Sequence, residues 1–318
     1  MGAPDYELKH LLEGGLMGFV KEIFAEFSRD KCTTLAAALA YYTAFALPPL
    51  LYLLLGILTL GMSVAYDSDH AEEQAKTALK SQVSQMIGNP QASDQIEKIL
   101  ESSEREPGKW WKTLLSVAGI IVGATGVVAA LQTSLNQVWG VKPDPERSGI
   151  MDMLRKRVLS FGMILGLGFL LVVSLIASAV LNGVSDMVGA SGMLGEVINF
   201  TVQAIVVFVM FAAIFKYMPD AQVQWNDVLH GTAITTVLFL IGRFALQLYF
   251  SHSQPAAHLG AAAASFAVLL VWVYYIAIIV LLGAEATQVY AVRYGSGIRP
   301  EPHAVRVIEK IDRSNEAS

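Results

Sequence analysis

Charge and cysteine are both scarce in this chain. Charged residues fill 15% of its 318 positions and hydrophobic ones 54%, with a mean hydropathy of +0.50. The length could hold two soluble domains, but those proportions argue for one polytopic membrane domain. A net charge of −5 provides no basic face for nucleic acid. Cys32, alone of its kind, excludes an intrachain disulfide and any multi-cysteine metal site, and it reads as a bystander. Signatures of chemistry are missing as well: there is no GxxxxGK phosphate loop, HExxH, CxxC or GxSxG. The six histidines are scattered, and no His–Asp cluster suits a divalent metal. Hydrolysis of RNA needs metal ligands or an acid–base pair beside a basic groove. The expectation is a protein that is not an enzyme, with no cofactor and no metal. A compact apolar run near the start is also lacking, so the first span is expected to act as an uncleaved insertion signal.

What is abundant is uninterrupted apolar sequence. Residues 33–66 carry no charge, well beyond the ~18–20 apolar residues of a spanning helix. Ala36, Ala37, Ala38, Ala40, Ala44 and Ala46 keep the first part small enough for close helix packing in lipid. Pro48 and Pro49 follow. Each lacks an N–H and crowds the carbonyl four residues back. A straight helix of this length would run about 50 Å at ~1.5 Å per residue, against a hydrocarbon core of ~30 Å. The pair predicts a first span bent or broken at that point, its freed carbonyls covered by protein or facing a watery cavity.

The run AAALAYYTAFALPPLL resembles the opening motif of the YihY/BrkB family of bacterial inner-membrane proteins, once labelled ribonuclease BN. LNQVWGV at 135–141, KYMPD at 216–220 and LLVWVYYIAIIVLLGAE at 269–285 are similar to further stretches of that family, in the same order. The resemblance covers roughly residues 20–292. It implies a multi-pass protein of the bacterial inner membrane and no particular chemistry.

Hydropathy and breakers divide the rest. Residues 1–32 hold a cytoplasmic amphipathic helix over 6–28, with Leu8, Leu12, Leu16, Phe19, Val20, Ile23 and Phe27 on one stripe. Residues 33–292 form the transmembrane domain, with spans at about 33–66, 114–135, 158–181, 197–215, 228–250 and 261–290. A polar insert at 67–109 reads as helices over 72–87 and 92–103, parted by Gly88-Asn89-Pro90. Trp110-Trp111 then suits an interface anchor. Residues 293–318 make a polar cytoplasmic tail, expected to be disordered beyond the last helical turn. Lys and Arg number four in 1–34, five in 136–157, one in 216–227 and five after the last span, against none in 182–196 and 251–260. That bias puts both termini in the cytoplasm and the insert outside. The fold class expected is all-α: a polytopic bundle of six transmembrane helices with a broken first span and a small helical extracytoplasmic insert.

Arg243 is the one charge deep within a span, and an intramembrane arginine is a site candidate by default. At ~22 Å from the cytoplasmic end it also comes within reach of the outer surface, for snorkelling or a structural pair. Tyr41, Tyr42, Pro48, Pro49, Gln132, Asn136 and Gln203 join it as candidates for lining a polar cavity; hydrogen bonds between helices account for the polar ones equally well. Lys216, Asp220, His230 and Glu285 should gather at the cytoplasmic ends of spans four to six. Either an ion or headgroup site or a structural ion pair would place them there, the second being favoured. The leading function is a transporter or lipid-handling protein of the envelope, driven by a gradient, by a partner or not at all. A non-transporting scaffold for envelope assembly is the alternative, and a ribonuclease comes last. Membrane lipids are the expected partners, with no nucleic acid; an envelope protein and a second copy of the chain stay open.

Overall fold

The computed structural model describes residues 15–63, 67–87, 125–146, 193–252 and 261–308, together with position 162. Helix α1 spans Gly15–Arg29, α2 Cys32–Met62 and α3 Ser68–Ile87. The described part of α4 covers 125–138. Three long helices follow: α5 over Met193–Tyr217, α6 over Trp225–His252 and α7 over Ala261–Arg293. The strands are short: β1 Val141–Pro143, β2 Ala221–Gln222, β3 Arg299–Pro300 and β4 Ala304–Arg306. β1 pairs antiparallel with β4, and β2 with β3.

Among the described residues, three stretches are long and apolar enough to cross a membrane: Phe200–Tyr217 in α5, Trp225–Leu246 in α6 and Leu269–Arg293 in α7. They answer to the last three spans read from hydropathy. The expected spans at 114–135 and 158–181 lie mostly outside the described residues. So do the start of the N-terminal helix, the insert helix at 92–103 and Trp110-Trp111. A helix does stand where the first insert helix was expected, with Ala71, Ala75 and Leu79 buried one turn apart. The pattern on α6 shows why these helices belong in lipid. Trp225, Leu229, Ala233, Val237 and Ile241 recur every fourth residue and are all exposed, while Val228, Thr232, Thr235 and Phe239 are buried. An outward apolar stripe of this length is a liability in water and a requirement in hydrocarbon.

The first span is not broken. Helix α2 continues through Pro48-Pro49, and its buried residues Ala40, Ala44, Leu51, Leu55 and Leu58 keep one helical phase across the pair. The prolines remove two backbone donors, yet their fixed φ of about −65° suits a helix. Unwinding the chain in hydrocarbon would strand more peptide groups than the two already lost. The environment overrides the local preference.

Among the described helices, α6 and α7 cross in close contact. Gly231 on α6 faces Thr287, and Gly283 on α7 faces Thr235; a Cβ on either glycine would lie 1.7 or 1.8 Å from the opposing threonine Oγ1. Each threonine hydroxyl donates to the glycine carbonyl one turn earlier on its own helix, at 2.7 Å for Thr235 and 2.8 Å for Thr287. The two G-x-x-x-T units interlock reciprocally, an antiparallel form of the small-residue packing that membranes favour.

Helix α1 lies against the end of α7, where Ile23 packs with Ala286 and Val289. Beside them Glu22 meets Arg293 at 3.3 Å, with both side chains almost wholly buried. Met17, Val20 and Phe24 stay exposed on the other face of α1, as on a helix that lies in a membrane interface. Lys31 adopts the left-handed conformation (φ 53°, ψ 40°) and turns α1 into α2 within two residues.

The tail also departs from expectation. Residues 294–308 are not disordered past the last turn but fold back over the end of the bundle. The exposed edges of β1 and β2 satisfy its backbone: Val307 N–H donates to the Gly140 carbonyl at 2.8 Å, and Glu301 N–H to that of Asp220 at 3.0 Å. Polar composition alone hid this, because the partners are main-chain groups.

Candidate functional site

Asn136, Asp220 and Glu285, from three of the motif segments, lie at one end of the bundle, and the end of α4 is its hub. Asn136 Nδ2 donates to Asp220 Oδ2 at 2.8 Å, while the Asp220 N–H donates to Asn136 Oδ1, also at 2.8 Å. Gln132, one turn earlier on the same face, reaches Asp220 Oδ1 from Nε2 at 3.1 Å. On the opposite side Leu135, Val138 and Trp139 enter the core, Trp139 edge-on to Phe215 with ring centroids 6.2 Å apart. Gln137 Nε2 donates to the Asp30 carbonyl at 2.9 Å, and Trp139 Nε1 to the Ala284 carbonyl at 3.3 Å. Gly140, at φ +60°, then bends the chain into β1, a turn that side-chain-bearing residues resist.

His303, in the turn before β4, completes the ring around Asp220, its Nε2 3.0 Å from Oδ1. Asp220 is only 4% exposed. A carboxylate at that depth must have its lone pairs met by donors, and two amides and an imidazole do so. Glu285 is a second buried acid; its Oε1 accepts the Cys32 thiol at 3.3 Å, and both residues are 0% exposed. Cys32 is therefore a buried donor rather than a bystander. On α1, burial pushes the Glu26 carboxyl above the usual carboxylate range, and the ion pair with Arg29 draws it partly back.

The sequence candidates are divided among separate contacts. Gln132 and Asn136 bind Asp220 instead of standing with Tyr41 and Tyr42, which are exposed on α2 with their rings edge to face. Gln203 and Arg243 do come together: Nη1 donates to Oε1 at 2.9 Å, tying α6 to α5. This contact stands about 27 Å along α6 from Trp225 at ~1.5 Å per residue. Pro48 and Pro49 lie within the continuous run of α2. Lys216, Asp220, His230 and Glu285 share one end but do not pair with one another. Lys216 Nζ donates to the Val223 carbonyl at 2.5 Å, and His230 stacks on Tyr290 with centroids 4.3 Å apart. The residues that sequence reasoning missed are His303, Trp139 and the Glu22–Arg293 pair. Trp139 sat in a recognised motif; His303 carried no signal, since the tail looks featureless. Among the described residues, no three His, Cys, Asp or Glu side chains are grouped to hold a metal ion.

Beside the Asp220 cluster a cleft of about 840 Å³ opens between the end of α5, the start of α6 and the returning tail. Lys216, Tyr217, Gln222, Trp225, Arg299 and Glu301 line it. The Lys216 ammonium lies 5.5 Å from the Trp225 ring centroid, and Tyr217 meets Trp225 edge-on at 6.0 Å.

Fold and site together define a helical membrane protein whose signature segments converge on one capped end. The chain belongs to the BrkB family: the sequence model described as Virulence factor BrkB matches residues 23–308. It is similar to a UPF0761 membrane protein of Vibrio vulnificus strain YJ016, 26% identical over 294 residues, covering 90% of this chain and 86% of that protein. A UPF0761 membrane protein of Halorhodospira halophila is 26% identical over 282 residues, or 86% of this chain and 57% of that protein. One of Pseudomonas aeruginosa strain LESB58 is 26% identical over 268 residues, 84% of this chain and 61% of its own length. This chain thus spans under two thirds of the Halorhodospira and Pseudomonas proteins. No solved structure matches it.

Proposed function

We propose that this chain is a transporter or lipid-handling protein of the bacterial inner membrane, with both termini in the cytoplasm. The carrying observation is the hydrogen bond from Arg243 to Gln203 within the spans. A guanidinium held in a span is costly, and such residues mark polar paths or polar cargo. With no nucleotide loop in the sequence, movement in this reading is gradient-driven, passive or driven by a partner. The reading assigns the chain no enzyme activity and no cofactor.

Cysteine accessibility tests it. In a Cys32→Ser background, which keeps a donor for Glu285, single cysteines replace Tyr41, Ala46, Gln132, Gln203 and Arg243. An impermeant thiol reagent is then applied from either side. Labelling at positions 203 and 243 is the expected result and establishes a watery path. Silence there, while controls at His70 and Lys142 label from opposite sides, means a dry bundle and sinks transport. The scaffold reading then leads, and one observation favours it: the exposed Met17, Val20 and Phe24 face of α1.

A further inference from the structure

We propose that the cleft between α5, α6 and the returning tail binds the phosphodiester headgroup of a membrane lipid. Its charge fits. Lys216 and Arg299 bring two cations and Glu301 one acid, leaving a single positive charge for a monoanionic phosphate. Glu301 is itself engaged, since Gln222 Nε2 donates to its Oε2 at 3.3 Å. Lys216 spends one donor on the Val223 carbonyl, which fixes the ammonium in place. An ammonium has three donors, so two remain for an oxygen ligand. Arg299 is exposed on β3 and adds a planar fork suited to phosphate.

Depth and surroundings select a lipid over a free phosphate. Tyr217 closes α5 and Trp225 opens α6, and these exposed aromatic rings mark the level where a bilayer meets water. The lipid-facing stripe of α6 starts at the cleft wall: Trp225 leads to Leu229, Ala233 and Val237. A headgroup seated between Lys216 and Arg299 would place its acyl chains along that stripe. This assignment deepens the lipid-handling half of the reading above and rests on it for the membrane frame. Binding nevertheless requires no movement across the bilayer. A chain that retains lipid and transports nothing fails the earlier reading and keeps this one.

The test uses the full chain purified in detergent and incubated with phosphatidylglycerol, or with diacylglycerol of the same tails, followed by quantification of retained lipid. Wild type should retain phosphatidylglycerol and not diacylglycerol. The Lys216→Gln/Arg299→Gln double variant should retain about thirtyfold less, from two lost cation contacts at ~1 kcal/mol each. Arg299→Lys in the Lys216 wild-type background should retain most binding and show that the fold tolerates change at this position. Lys142→Gln, an exposed charge at the same end outside the cleft, should behave as wild type. Undiminished retention by a correctly eluting double variant overturns the site. Equal loss in Lys142→Gln overturns it in favour of general surface charge. Displacement of the lipid by soluble glycerol phosphate at matched concentration overturns the lipid assignment.

Discussion

Asp220 shows how one buried residue can hold several elements. Its carboxylate receives Gln132 and Asn136 from α4 and lies against His303 of the tail, while its own N–H returns a bond to Asn136. Asn136→Ala would leave both a buried acceptor and a buried donor unmet. The expected cost is about 2–4 kcal/mol, read as a lower midpoint of unfolding in detergent. Glu26 gives a pH-dependent counterpart. Burial raises its folded pKa above the unfolded value, so its neutral form is favoured by folding. That contribution is complete below the ordinary carboxylate value and is lost as pH rises through the folded one. Glu26→Gln should therefore raise stability at neutral pH and flatten the slope just above the ordinary carboxylate range. An unchanged slope would show that Arg29 cancels the burial.

At the scale of elements, the α6–α7 crossing is the least forgiving. Gly231→Val and Gly283→Val each push a branched side chain into a threonine across the interface. Either should abolish accumulation of folded protein, whereas Thr235→Ser should be tolerated; expression and elution profile decide. The prolines of α2 predict the reverse. Pro48→Ala/Pro49→Ala regains two backbone donors within a continuous helix, so the midpoint of unfolding should stay level or rise. A large fall would mean that the pair shapes packing beyond the helix itself. Hydropathy located the last three spans to within a few residues, because uncharged length is a property of sequence alone. The proline pair suggested a break in α2 that is absent, because proline's effect depends on the solvent around the helix. Nor could the G-x-x-x-T units be weighed from sequence, since their meaning lies in facing each other.

At the scale of the whole molecule, the resemblance marked four segments but not their meeting point. Asp30, Asn136, Asp220 and Ala284 are far apart in the chain, and only tertiary folding brings their bonds together. Cys32 and His303 were illegible for the same reason: burial and partners are not written in local pattern. Deleting 299–308 should test how much the returning tail contributes. Loss of both two-stranded pairings and of His303 should lower the midpoint of unfolding more than Asn136→Ala does. A tail that merely decorates the surface would leave the midpoint unchanged.

The cross-links also have a mechanical consequence. Among the described residues, the bonds of Cys32, Gln132, Asn136, Gln137 and Trp139 to other segments all sit at one end, and Arg243–Gln203 stands well away from them. Cross-bracing of this kind has a leverage of its own: one side chain lost at the braced end loosens several elements together, whereas one lost at Arg243–Gln203 loosens α5 from α6 alone.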